Sequence, residues 1–246
     1  MSVTRYAVYF TPAQDHPLTR DAETWLGRSA WRNEDVSRTT LDGTTEELQE
    51  RFTRSARKYG FHATMKAPFR LAEGLDEKDL RDACAHFALD HAPTEIAEVI
   101  AKPIGSFSAL VPAQQSDALR NVAAAAVEHF EPFRAPLSDV EMERRLSSPL
   151  TAAQKDLLTH WGYPYVFDEF RFHLTLGGGV SADEHANLGR VIEQHFANHI
   201  GRPLDVDRIA LFRQDHADAP FHILADYPFS ASEAAPSLPR TFTMTA

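Results

Sequence analysis

Two histidines in this chain, His62 and His173, each stand two positions before a threonine. Their surroundings read Phe-His-Ala-Thr-Met at residues 61–65 and Phe-His-Leu-Thr-Leu at residues 172–176. An imidazole titrates near neutral pH, so it can accept or donate a proton during a reaction. A single His-x-Thr is common by chance, but two copies in the same context predict a catalytic pair. Facing each other, the two rings would supply a general base and a general acid.

Both segments alternate apolar and polar residues, and this period of two is typical of a half-buried β-strand. We predict motif strands over residues 59–66 and 170–176. Side chains two positions apart share one face of a strand and lie roughly 7 Å apart. Each histidine and its threonine, Thr64 or Thr175, can therefore contact the same small ligand. Threonine is also a common strand former, which is a sufficient structural reason for both residues.

A basic residue lies on the predicted histidine face of each motif strand. Lys66 follows His62 by four positions, and Arg171 precedes His173 by two. Either side chain could add positive charge beside a bound phosphate, or it could extend into solvent from a strand end. Both are candidate substrate-binding residues, together with the two threonines.

The predicted elements after the two motifs follow one another in the same order. Each motif is followed by a helix and two strands, predicted at residues 76–91, 95–101 and 105–111 in the first half, and from Ser181 onward, at 204–212 and at 221–229 in the second. An internal duplication is the simplest explanation. It predicts an α+β fold with two pseudo-symmetric lobes, antiparallel or mixed sheets, and both motifs at a central cleft. We expect residues 1–229 to form one bilobal domain and residues 230–246 a flexible C-terminal tail.

A helical insertion is predicted over about residues 134–165, just before the second motif. It contains two capping boxes, Ser138-x-x-Glu141 and Thr151-x-x-Gln154, and each of these is typical of a helix N-terminus. The helical pair could lie over the cleft as a cap, or it could be a structural embellishment away from the chemistry. The sequence leaves both interpretations open.

Composition limits the partners of the protein. The formal net charge of −10 argues against a surface that follows long nucleic acid, because that affinity comes mostly from Lys and Arg on phosphates. A small phosphorylated ligand in a locally positive cleft remains compatible with this net charge.

The single cysteine, Cys84, allows no intrachain disulfide and favours a reducing cytoplasmic setting. Since we find neither a signal peptide nor an apolar run of about 20 residues, we expect a cytoplasmic protein without a membrane span.

On the motifs His62-Ala63-Thr64 and His173-Leu174-Thr175, the chain resembles the 2H phosphoesterase superfamily, which is named for two His-x-Thr/Ser motifs on strands of two similar lobes. The longer segments at residues 57–66 and 161–173 are similar to a bacterial branch encoded beside genes for phosphonate breakdown. The resemblance implies hydrolysis of a small cyclic phosphodiester, with a ribose cyclic phosphate as a candidate substrate. It implies acid–base catalysis by the two histidines, phosphate hydrogen bonds from the threonines, and no metal or other cofactor.

Rival functions could use the same residues. A non-catalytic module that binds nucleotides or RNA ends would need no acid and base, and an RNA 2′,3′-cyclic phosphodiesterase or ligase is disfavoured by the acidic balance. A metal-dependent phosphohydrolase would need ligands, yet His195 and His199, four positions apart, have no evident third partner. The stretch Gly177–Gly179, predicted as a loop, lacks the Lys-Ser/Thr of a P-loop. The substrate, the direction of the reaction, the identity of the base and the oligomeric state stay open.

Overall fold

The computed structural model describes residues 4–39 and 41–231. Helices and antiparallel sheets are mixed along the chain, which confirms the predicted α+β class. Of the predicted tail 230–246, all but the first two residues lie outside the described ranges. No helix in these ranges combines the length and apolarity needed to cross a bilayer.

Seven α-helices lie within the described ranges. They are α1 (Pro17–Leu26), α2 (Glu46–Tyr59), α3 (Glu77–Asp90), α4 (Asp117–His129), α5 (Asp139–Leu146), α6 (Ala152–Trp161) and α7 (Ala182–His195). Short 3-10 helices cover Glu131–Phe133 and Phe167–Glu169. Cys84 of α3 is buried, and burial raises the pKa of its thiol, as expected for an inert structural residue.

Eleven strands lie in the same ranges. They are β1 (Arg5–Phe10), β2 (Arg28–Ser29), β3 (Glu34–Asp35), β4 (Ala63–Phe69), β5 (Thr94–Ile96), β6 (Val99–Ile104), β7 (Phe107–Pro112), β8 (Leu174–Gly178), β9 (Leu204–Val206), β10 (Arg208–Gln214) and β11 (His222–Pro228). They form a four-stranded sheet in the order β11-β10-β1-β4, a three-stranded sheet in the order β6-β7-β8, and two-stranded ladders β5-β9 and β2-β3. Each larger sheet therefore carries one motif in an edge strand.

Strand β1 is an interior strand of the larger sheet, and its residues from Tyr6 to Phe10 are all buried. Val8 and Phe10 belong to the main hydrophobic core. Ala7 and Tyr9 point to the opposite face and pack in a smaller cluster with Phe212 and Phe221. An interior strand covered on both faces needs a continuous apolar run, which is what its sequence provides.

Both motif strands begin later than predicted, at Ala63 and Leu174. In the first motif, helix α2 continues through Tyr59 and ends at Gly60, whose φ is +79°. A β-carbon at Gly60 would lie 2.6 Å from Cβ of Ala30, so only glycine fits there. In the second motif, the chain just before the strand forms the 3-10 helix Phe167–Glu169. Each histidine consequently lies just before its strand, at the sheet edge.

The segment 134–165 contains α5 and α6, and both helices begin with the predicted capping boxes. No residue of α5 is buried. The helix is held partly by Arg70, which donates to the carbonyl of Pro136 at 2.6 Å and to the carboxylate of Glu141 at 3.2 Å. Helix α6 ends at Gly162 in the left-handed conformation (φ +71°), and the chain then turns towards Tyr163.

Candidate active site

The two motif histidines share one local arrangement. Nδ1 of His62 lies 2.8 Å from the carbonyl oxygen of Gly60, and Nδ1 of His173 lies 2.7 Å from that of Arg171. A carbonyl oxygen can only accept a hydrogen bond, so Nδ1 carries the proton in each neutral ring. Neither Nε2 has a hydrogen-bond partner within residues 4–39 and 41–231. Nε2 is thus the atom at which each ring can take up or release a proton.

His62 lies in an aromatic environment. Its ring stacks on that of Tyr9, with centroids 3.8 Å apart and planes inclined by 23°. The rings of Tyr59 and Phe212 lie 6.1 Å and 6.2 Å away. Burial lowers the pKa of His62 to about 4; the bond to Gly60 opposes this shift, and the charge of His173 adds to it. His62 is therefore neutral at pH 7.

His173 has a related but less aromatic environment. The ring of Phe107 lies 5.6 Å away, tilted by 43°. Burial lowers the pKa of His173, while the hydrogen bond to the carbonyl of Arg171 opposes the shift. Each motif therefore holds an imidazole whose neutral form is favoured.

The two histidines line adjoining cavities, which we call the His62 cavity and the His173 cavity. The His62 cavity has a volume of about 500 Å³ and also contains Thr64 and Thr175. The His173 cavity has a volume of about 430 Å³ and contains Arg171 and, again, Thr64. Thr64 and Tyr163 belong to both linings, so the cavities meet there. Both motifs therefore border the same region of the surface, and the volume of each cavity suits a small molecule.

Lys66 was predicted to be a substrate-binding residue, but it lines neither of the two cavities. In the pairing of β1 with β4, Tyr9 is opposite Thr64 but Val8 is opposite Lys66, so Met65 is an extra residue in a β-bulge. A bulge puts two successive side chains towards the same side of a strand. Lys66 is consequently only 3% exposed; its Nζ donates to the carbonyl of Val127 at 2.8 Å and to the carboxylate of Glu131 at 2.5 Å.

Arg171 lines the His173 cavity, as its position in the motif suggested. Its side chain is exposed, and Nη1 donates to the carbonyls of Asp168 and Phe170 at 2.7 Å and 2.6 Å. These contacts use two donor positions of a guanidinium that has five. The remaining donors have no hydrogen-bond partner among the residues that the structure describes, so Arg171 stays a candidate substrate-binding residue.

Several cleft residues are missing from the sequence-based set. Tyr9 and Arg5 come from β1, whereas Arg144, Arg145 and Tyr163 come from the segment 134–165. The insertion thus contributes to the wall of the cleft. The adjacent arginines in the last turn of a capped helix were a visible signal, but they also suit the negative end of that helix, which is their ordinary structural role.

The pair His195 and His199 has structural contacts. Nε2 of His195 lies 2.9 Å from the carbonyl oxygen of Asp21, and Nε2 of His199 lies 2.7 Å from the Asp21 carboxylate. These contacts connect the end of α7 to α1. Within the described ranges, no group of three or more His, Cys, Asp or Glu side chains has the arrangement of a metal site.

Comparison with known proteins gives one family match. The family described as "Protein of unknown function (DUF1045)" matches residues 64–222. The matched range begins at Thr64 and includes His173 and Thr175.

Two curated proteins are similar over most of this chain, and both are named ribose 1,5-bisphosphate phosphokinase PhnN. The protein of Janthinobacterium sp. (strain Marseille) is 37% identical over 244 residues, which are 98% of this chain and 54% of the relative. The protein of Laribacter hongkongensis (strain HLHK9) is 31% identical over 226 residues, which are 89% of this chain and 50% of the relative. The chain therefore spans about half the length of these relatives.

A solved structure described as "Crystal structure of phosphoesterase" aligns with 93% of this chain and 99% of its own, with 11% identity and a TM-score of 0.45.

Proposed function

We propose that this chain, which belongs to the DUF1045 family, hydrolyses a small cyclic phosphodiester with His62 and His173 as its acid–base pair. The observation that carries the proposal is the shared arrangement of the two rings. Each Nδ1 is bound to the carbonyl two residues earlier, and each Nε2 is left without a partner among the described residues. The rings line two cavities that share Thr64 and Tyr163, and each cavity is large enough for a small ligand.

The reaction needs two proton transfers on opposite sides of phosphorus. One imidazole removes a proton from water as the water oxygen bonds to phosphorus. The other imidazole, in its protonated form, gives a proton to the sugar oxygen as its bond to phosphorus breaks. The product is a ring-opened phosphomonoester. Each positioned transfer contributes typically about 10²- to 10⁴-fold in rate.

We assign the role of base to His62 and that of acid to His173. A base must be neutral when the substrate binds, and the pKa of His62, about 4, makes it so across the physiological range. The phosphate anion of the substrate raises the pKa of nearby imidazoles. His173 is less buried than His62, so it is the ring whose protonated form the anion favours.

Thr64 and Thr175 would donate hydrogen bonds to the non-bridging phosphate oxygens, where negative charge grows in the transition state. Thr64 belongs to both cavities, and Thr175 lines the His62 cavity. Arg171 would supply positive charge from the His173 side. The scheme uses no metal ion.

The strand pairing supports the interpretation of residues 1–229 as one bilobal, duplicated domain with an insertion at 134–165. In each half, the motif strand pairs antiparallel with an earlier, largely buried strand, β1 for β4 and β7 for β8. Both pairings contain a register shift near the threonine. Similar halves would bring the two motifs to one cleft through equivalent positions.

A ribose cyclic phosphate is the substrate that we favour. The sequence resembles proteins encoded beside genes for phosphonate breakdown, and the curated relatives are named for a phosphokinase of ribose 1,5-bisphosphate. Opening a cyclic phosphate on ribose yields a ribose phosphomonoester, which is the kind of compound in that name. Both points support ribose as the sugar of the substrate, and neither depends on the identity of the catalytic residues.

The test is turnover of defined cyclic phosphodiesters in the presence of a chelator, followed by phosphorus NMR. Ribose 1,2-cyclic phosphate, nucleoside 2′,3′-cyclic phosphates and 3′,5′-cyclic nucleotides would be compared. We expect ring opening of one class, and its loss in His62→Ala and His173→Ala but not in His86→Ala, which changes an exposed histidine of α3.

Each rival has its own outcome in this experiment. Tight binding without turnover would indicate a binding module, and activity that the chelator removes would indicate a metal-dependent hydrolase. Turnover that survives both motif substitutions would overturn the proposed mechanism.

A further inference from the structure

The His62 cavity is strongly basic in a chain whose net charge is −10. Arg5, Arg144 and Arg145 all line it, and no carboxylate from the described residues does. Elsewhere in the same ranges, arginines are commonly paired with acids, as Arg32, Arg51, Arg57, Arg70, Arg81, Arg120, Arg134, Arg208 and Arg213 are. Three guanidinium groups without a neutralising acid are therefore concentrated beside one catalytic ring.

Arg145 is the most constrained of the three. Its Nε is buried and has no hydrogen-bond partner among the described residues, and no carboxylate there pairs with it. Its guanidinium carbon lies 5.3 Å from the centroid of the Tyr163 ring. Burial lowers the pKa of Arg145 and the charge of Arg144 adds to the shift, while Tyr163 and, more weakly, the Glu141 carboxylate of the same helix oppose it. A half-buried cation with unused donors is stabilised when an anion binds.

Arg5 is oriented without being neutralised. Its Nε and Nη2 both donate to Oε1 of Gln214, at 2.8 Å and 2.6 Å. Because a carboxamide carries no net charge, the positive charge of Arg5 remains available in the cavity. The contact fixes the side chain and so reduces the entropy lost when a ligand binds.

The arginines lie to one side of the reaction centre. A phosphodiester attacked between His62 and His173 must lie where the two cavities meet, near Thr64. Arg5, Arg144 and Arg145 line only the His62 cavity, so they face a different part of the ligand. Guanidinium groups match phosphate oxygens in a bidentate geometry, and several of them suit a dianion.

We infer that Arg144 and Arg145 of α5, together with Arg5, bind a second anionic group of the substrate, a phosphomonoester on the same small molecule as the cyclic phosphodiester. The inference rests on the proposed function and deepens it. It also gives the insertion a task, because α5 contributes two of the three arginines while burying none of its own residues. The insertion then selects the substrate, and the motif strands catalyse the reaction.

The experiment compares ribose 1,2-cyclic phosphate with and without a 5-phosphate. Steady-state kinetics would be measured for wild type, Arg145→Gln, Arg145→Lys and the control Arg120→Gln, which changes a partly exposed arginine of α4 that is paired with Asp117. For Arg145→Gln we expect a rise in KM of about 10- to 100-fold on the 5-phosphorylated compound, with a much smaller change on the other. Arg145→Lys should show a smaller rise in KM, because a lysine keeps the positive charge but cannot form the bidentate hydrogen bonds of a guanidinium.

Binding would be measured separately by calorimetry in the His62→Ala background, where turnover does not interfere. A preference for the 5-phosphorylated ligand that disappears with Arg145→Gln supports the inference even if neither compound is hydrolysed. Equal losses on both ligands would show that Arg145 contacts the scissile phosphate instead, and no loss on either would show that it binds no substrate group. Either result overturns the inference, and the second leaves the acid–base mechanism intact.

Discussion

The ring of Tyr9 covers one face of the His62 imidazole, with their centroids 3.8 Å apart. Tyr9 is buried in β1 and lies directly opposite Thr64, so the pairing of β1 with β4 brings all three side chains to one site. Burial is the largest cause of the low pKa of His62, and the Tyr9 ring covers one face of the buried imidazole. Tyr9 is therefore a positioning residue for the proposed base.

Replacing Tyr9 tests this relationship. In Tyr9→Leu we expect the pKa of His62 to rise from about 4 towards its ordinary value of 6.5, because water gains access to the ring. In Tyr9→Phe the stacked ring is kept, and the pKa should stay low. NMR titration of the His62 ring protons measures both. An unchanged pKa in the leucine variant would assign the desolvation to other groups.

The pH dependence of kcat/KM follows from the two pKa shifts. The base must be deprotonated, which requires a pH above the pKa of His62, about 4. The acid must be protonated, which requires a pH below the pKa of His173. Burial holds this pKa below its ordinary value of 6.5. Because kcat/KM reports the free enzyme, we expect a bell-shaped profile with its maximum between about pH 4 and 6.5. A maximum above pH 7 would contradict the assignment of these two groups.

Lys66 should matter for stability and not for substrate. Its Nζ is buried against Glu131 and the carbonyl of Val127, away from the cleft. We expect Lys66→Met to lower the free energy of unfolding by about 1–3 kcal/mol, since Arg134 still neutralises Glu131. Values of KM and kcat should remain within about twofold of wild type, a change too small for the loss of a charge-assisted hydrogen bond to substrate.

Urea denaturation measures the stability change, with Lys78→Met as the matched control. Lys78 is exposed and pairs with Asp82 one turn along α3, so its replacement should leave stability nearly unchanged. A large rise in KM for Lys66→Met would restore the residue to the binding site.

Gly177 is required by close packing beside the second motif. A β-carbon there would overlap the ring of Phe52 and would lie 2.6 Å from the carbonyl oxygen of the same residue. We expect Gly177→Ala to destabilise the protein by about 1–3 kcal/mol, because α2 must move away from β8. Thermal and urea unfolding would be compared with Gly189→Ala, where a β-carbon meets nothing within 4 Å. In that helical position alanine should instead stabilise by about 0.5–1 kcal/mol. Equal behaviour of the two variants would contradict the packing argument.

The local features of the fold were readable from the sequence. The capping boxes at Ser138 and Thr151 both form as predicted, because a cap depends on residues three positions apart. The continuous apolar run of β1 is likewise typical of the strand, buried on both faces, that the structure contains. The stretch Gly177–Gly179 was predicted as a loop, yet Gly177 and Gly178 continue β8; their small size permits close contacts with Phe52 and Phe107.

What the sequence determined by itself was the choice of reactive groups: two histidines, each with a threonine on the same side of a short motif, and two arginines in the last turn of a capped helix. Only the tertiary structure decided where they point. The bulge at Met65 turns Lys66 away from the cleft, and the packing of α5 beside Tyr163 brings Arg145 into it. The physical reason is that strand register and helix docking depend on partners far away in the chain, whereas a motif or a cap is complete within a few residues.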